Sequence, residues 1–205
     1  MERLLKIIAK IILCITFPIF VPLLMVFLLM WNTYMNILPH NFRFTLLGMT
    51  AIFSIVAPLV SVILLRLLDR KPLFSDYSTK YMTGPYIFTL ISLLAGSFTM
   101  WRLHLPMYLK STMVLPAMVL ILCMSAIFFG RRLSLRASAS GMCSVSFFGY
   151  GLYMGFNPIY WISAAILLGG LSSTCELLLR RHSLFEVFGG FLGGLFCGVV
   201  GILFL

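Results

Sequence analysis

The stretch RRHSLFEVFGGFLGG, residues 180–194, sets two arginines, a histidine and a glutamate at the start of a glycine-studded apolar run. Charged groups beside a bilayer are costly, and they stand where they find partners, water or a purpose. On a helix, His182 and Glu186 are four residues apart and share a face. A carboxylate there can hold the imidazole in one tautomer and leave the other ring nitrogen free to attack phosphorus, with Arg180 and Arg181 drawing in the phosphoryl group. The same letters also spell a capping box, in which Ser183 caps the helix and Glu186 reaches back to a free backbone N–H. On that reading His182 only precedes the cap and the arginines anchor the interface, and both readings stay open. Gly190, Gly194 and Gly198 recur every fourth residue and cut a groove for the close approach of another helix. That groove would serve packing within the chain, and it also offers a route to a homo-oligomer.

Outward from this stretch the chain is mostly apolar. Of its 205 residues, 61% are hydrophobic and 10% charged, against roughly a quarter charged in soluble domains. Uncharged runs long enough to cross about 30 Å of hydrocarbon fall at 11–31, 44–65, 81–101, 111–130, 137–156, 159–175 and 187–205. The expectation is an all-α, polytopic membrane helix bundle of about seven transmembrane helices, one integral membrane domain over 1–205. The first run continues to Trp31 and lacks a small-residue cleavage site, so it reads as a retained helix kinked by Pro18 and Pro22 and not as a secretory signal. All five cysteines lie in or beside apolar runs without metal-type spacing and read as small packing residues.

Lys and Arg in short loops favour the cytoplasmic side. Three precede the first run, and loops 66–80, 131–136 and 176–186 hold four, three and two, making twelve on one side. The other side has Arg43, Arg102 and Lys110. The N-terminus is therefore expected in the cytoplasm and the C-terminus outside. This topology pools three basic loops at one membrane face, an arrangement suited to an amphiphile with an anionic head, such as a phospholipid or isoprenoid phosphate. The net charge of +10 does not suggest nucleic acid, because the charges are scattered over short loops with no basic helix to carry a strand.

The segment from His182 through Glu186 into the glycine helix resembles the third signature of the type-2 phosphatidic acid phosphatase superfamily, where an Arg, five residues, a His, three residues and an Asp lead into a glycine-rich helix. Two helices earlier, GRRLSLRASASGM (130–142) stands where that family has its second signature, often Pro-Ser-Gly-His. DYSTKYMTGPY (76–86) resembles the first, in a form similar to short bacterial members. The resemblance covers roughly residues 70–205 and implies a six-helix lipid-phosphatase-like core. By position it makes His182 the nucleophile of a phosphohistidine mechanism and Glu186 its orienting partner. It also places Lys80, Arg132, Arg136, Ser140 and Gly141 near the phosphate. Two positions depart from the pattern: Glu176 stands where the family has arginine, and Met142 where it has the histidine that protonates the leaving group. A general acid typically contributes about 10²–10⁴-fold in rate.

These features support a metal-independent lipid phosphate or diphosphate phosphatase, or a non-catalytic binder or scaffold for an anionic lipid. A small transporter with helices broken at Pro58 and Pro116 is a third reading. Its partners are membrane lipids, and its place, by resemblance, is a bacterial inner membrane. No ligand cluster, nucleotide loop or haem pattern calls for a metal or a cofactor.

Overall fold

The computed structural model describes residues 9, 12–13, 18–60, 63 and 79–203. All secondary structure among them is helical. After a 3-10 turn at Pro18–Phe20 come α1 (Val21–Asn32), α2 (His40–Ala51, continuing to Val60), α3 (Thr79–Arg102), α4 (Met107–Phe128), α5 (Leu135–Met154), α6 (Ile159–Leu178) and α7 (Leu184–Leu203). Among the described residues five helices are long and apolar enough to cross a membrane: His40–Val60, Gly84–Arg102, Met107–Phe128, Ile159–Leu178 and Leu184–Leu203. These features fit an integral membrane protein.

Two of the seven expected spans differ. Pro18–Asn32 is apolar but shorter than a crossing, and most of the expected stretch before it lies outside the described residues. Pro18 opens the 3-10 turn and Pro22 sits in the first turn of α1, where its missing N–H costs little; the chain just before Pro18, on which the expected kink depends, lies outside the described residues. The run at 137–156 does form a 20-residue helix, α5, but one less apolar than the other five. The reason is its surroundings. Twelve of its residues are buried, among them Ser138, Gly141, Ser144, Ser146 and Gly149, because it packs against α6 and α7 instead of facing solvent. Its hydroxyls return to carbonyls one turn back, Ser138 to Ser134 at 2.9 Å, Ser144 to Ser140 at 2.8 Å and Ser146 to Met142 at 2.7 Å, so no polar hydrogen is stranded.

The chain divides into two compact units, one of residues 1–21 and 118–205 and one of residues 22–117. In the first, α5 and α7 run parallel in close register. A Cβ on Gly190 would lie 2.8 Å from the Ser134 carbonyl, one on Gly198 would lie 3.1 Å from that of Met142, and one on Gly194 would overlap that of Ser138. The expected glycine groove is thus filled by the chain's own α5. α6 runs antiparallel to both, with Ser140 of α5 seated on Gly169.

In the second unit, α2 widens at Ile52–Val56 into a π turn, where the Ala57 N–H reaches back five residues to Ile52. Pro58 lacks an N–H and its ring crowds the Ser54 carbonyl, which favours such a widening. Phe53 of this turn packs on Gly96 of α3, and the Ser92 hydroxyl donates to the Phe53 carbonyl at 2.5 Å. Helix α2 nevertheless continues to Val60, and α4 runs through Pro116. The breaks that a transporter reading needs at Pro58 and Pro116 do not occur.

Three helices end in the same way. Leu105 donates to Met100, Arg131 to Ala126 and Arg181 to Glu176, each a six-residue closure. The residues just before, His104, Gly130 and Arg180, donate to Trp101, Ile127 and Leu177. These are Schellman caps, which demand a left-handed residue. Glycine meets this demand at Gly130 (φ 74°), whereas His104 (φ 51°) and Arg180 (φ 52°) do so as L-residues. A left-handed L-residue costs roughly 1–2 kcal/mol, partly offset by the entropy a glycine would lose. His104→Gly is therefore expected to stabilise the folded chain by about 0.5–1 kcal/mol, read as a higher midpoint in reversible denaturation in mixed micelles. A neutral or negative shift would mean that His104 is held there by something other than the cap.

Candidate functional site

The described charged residues of the first unit gather where α5 begins, α6 ends and α7 begins. Ser134 caps α5, its hydroxyl accepting from the Ala137 N–H at 3.2 Å. Its own N–H donates to the Glu186 carbonyl at 3.3 Å, which ties the α4–α5 turn to the first turn of α7. The α6–α7 turn joins them through Glu176, in the last turn of α6.

Glu176 is 1% exposed. Its Oε1 accepts from Arg136 Nη1 at 2.7 Å and its Oε2 from the Ser134 hydroxyl at 2.5 Å. Arg136 Nη2 also donates to the Leu13 carbonyl at 3.2 Å. Around Leu13, a small apolar cluster of Ala9, Ile12, Cys175 and Leu179 covers this end of α6. A carboxylate inside an otherwise apolar helix needs such partners, since an isolated buried charge is strongly unfavourable.

At the start of α7 the capping box and a contact between His182 and Glu186 occur together. The Ser183 N–H donates to Glu186 Oε2 at 2.8 Å and the Glu186 N–H to the Ser183 hydroxyl at 3.4 Å, which is the reciprocal capping box. The same Oε2 lies 3.3 Å from His182 Nδ1. One carboxylate oxygen therefore caps the helix and orients the imidazole, whose ring keeps some exposure at 22%.

The other expected site residues divide into two groups. Arg132, Arg180 and Arg181 are exposed on the two joined turns, together with Arg131. Arg136, Ser140 and Gly141 have other work. Arg136 is engaged by Glu176. Ser140 bonds to the Ala137 carbonyl at 2.9 Å and lies against Gly169. Gly141 is buried where a Cβ would overlap the Phe191 carbonyl of α7. Met142 is fully buried. These positions of the expected second signature serve helix packing and an internal ion pair. Of the first signature, Asp76 and Tyr77 lie outside the described residues; Lys80 falls in the first turn of α3, and its side chain is likewise outside them.

Among the described residues Glu176 and Glu186 are the acidic side chains, and both stand at this end. They face five arginines, 131, 132, 136, 180 and 181, a surplus of three positive charges with His182 neutral. Beside the arginines, Phe128, Phe129 and Phe185 are 90%, 82% and 91% exposed, a mix of apolar rings and basic groups that suits the headgroup/acyl boundary.

Sequence reasoning missed Ser134 as a participant and Glu176 as a partner for Arg136. The signal was present: a lone acidic residue in an apolar span predicts a cation nearby. Comparison with known proteins found no matching family model, curated protein or solved structure.

Proposed function

We propose that this chain is a seven-helix membrane protein of lipid-phosphatase-like build that holds the phosphate headgroup of an anionic or isoprenoid-phosphate lipid on its basic turn pair without cleaving it. The observation that carries this reading is the ion pair of Arg136 with Glu176. The arginine placed to clamp a phosphate in the resemblance already has an internal counter-charge, while the turn pair keeps a positive surplus at its exposed edge. Exposed phenylalanines beside that edge would dip into the headgroup/acyl boundary while the arginines reach phosphate. By the bias of basic residues, this end faces the cytoplasm of a bacterial inner membrane.

The 3.3 Å contact of His182 with Glu186 favours a second reading, metal-independent hydrolysis through a phosphohistidine. The ring nitrogen away from Glu186 would attack phosphorus, and a group other than residue 142 would protonate the leaving oxygen.

One experiment separates the two. With the full chain in nanodiscs, binding of a phosphate-headed lipid and release of inorganic phosphate are measured together. Near a bilayer surface a basic residue contributes about 1 kcal/mol towards an anionic lipid. Replacing Arg131, Arg132, Arg180 and Arg181 by Gln is therefore expected to weaken binding by at least about tenfold, with no phosphate released by the native chain or by His182→Ala. Release that vanishes in His182→Ala would overturn the binding-only reading. Equal affinity for neutral lipid would remove headgroup recognition altogether.

A further inference from the structure

We propose that Ser134 and Arg136 form an oxyanion-binding site that the chain fills with its own Glu176 carboxylate, and that a carboxylate or phosphate monoester from outside takes that place when the Glu176 side chain is withdrawn. This site is the buried one beneath the basic edge, and it does not depend on headgroup binding there.

Each oxygen of the carboxylate has its own donor. Oε2 receives the Ser134 hydroxyl at 2.5 Å and Oε1 receives Arg136 Nη1 at 2.7 Å. Both donors are held by contacts that do not involve the Glu176 side chain. Ser134 is fixed as the cap of α5, through Ala137, and to α7 through its N–H on the Glu186 carbonyl. Arg136 is fixed through Nη2 on the Leu13 carbonyl. Shortening residue 176 therefore leaves a hydroxyl and a guanidinium aimed at the volume the carboxylate occupied. Two oxygens of a formate or of a phosphate monoester present the same acceptors to that pair. Removing the Glu176 carboxylate takes a close counter-charge from a largely enclosed guanidinium, which favours an anion in the gap. No covalent bond forms or breaks.

The test uses the full chain with Glu176→Ala in micelles, its thermal midpoint followed against sodium chloride, formate, inorganic phosphate and a single-chain alkyl phosphate. A saturable rise of about 5 °C or more is expected at a hundredfold excess over the dissociation constant. Neither the native chain nor Glu176→Ala/Arg136→Ala should show it. A stronger response to the alkyl phosphate than to inorganic phosphate identifies a lipid headgroup as the fitting source, and an equal or weaker one a free ion. No rise in Glu176→Ala, or the same rise in the native chain or the double variant, overturns the site. If Glu176→Ala does not stay folded in chloride, the yield of folded protein extracted into formate or phosphate gives the same reading. Failure in every anion, with Glu176→Gln folded, overturns it as well.

Discussion

Gly194→Ala should lower the stability of the folded chain by about 3 kcal/mol, the top of the usual range for an overpacked interior, while Gly170→Ala should leave it unchanged or raise it by up to about 1 kcal/mol through helix propensity. The contrast comes from what each new methyl group would meet. At Gly170 nothing lies within 4 Å; at Gly194 the Cβ would overlap the Ser138 carbonyl. That obstacle is backbone, so no rotamer change removes it, and α7 would have to retreat from α5 as a whole. Retreat loosens the approaches of Gly190 to Ser134, Gly198 to Met142 and Gly141 to Phe191. Lipid tails are as apolar as leucine, so helices in a bilayer are held by close packing more than by exclusion of water, and little compensates for the lost contact. The Ser134 bond to Glu186, at 3.3 Å, would open too, separating the two turns that carry the arginines. Denaturant titration of both variants in mixed micelles reads the difference. A Gly194→Ala chain as stable as the native one would mean that α7 does not pack on α5 through this face.

The glycine stripe shows how far the sequence could be read. Spacing by four announces a groove, and the groove exists, but spacing names no occupant. The occupant, α5, reads in sequence as one more span, and the resemblance places its Ser140 and Gly141 near a phosphate by position. Small residues are equally what a helix needs when neighbours approach it closely, and sequence alone does not separate the uses. Helices α2, α3, α4, α6 and α7 carry the most apolar runs because each turns much of its surface outward, where lipid tails accept apolar side chains. At Glu186 the contacts expected from the two readings coexist, since one carboxylate oxygen serves the Ser183 N–H and stands beside His182. The link of Arg136 to Glu176 spans 40 residues, and local pattern carries no information over that separation.

That ion pair supplies the second large effect. Arg136→Met or Glu176→Leu alone should cost about 3–5 kcal/mol, because each removes one side of a largely buried ion pair. The double replacement should recover most of this loss, ending within about 1–2 kcal/mol of the native chain, since two apolar side chains of similar volume require no desolvated charge. The Leu13 carbonyl and the Ser134 hydroxyl both lose a partner, which is why the recovery is not complete. A double-mutant cycle measures the coupling directly, and strictly additive losses would show that the two charges do not interact. The same variant tests the functional reading. Removing one arginine and one glutamate leaves the surplus of positive charge on the joined turns unchanged, so lipid binding through Arg131, Arg132, Arg180 and Arg181 should persist in Arg136→Met/Glu176→Leu. If binding is lost while the fold is retained, Arg136 reaches the headgroup itself, and the exposed edge is not where the lipid is held.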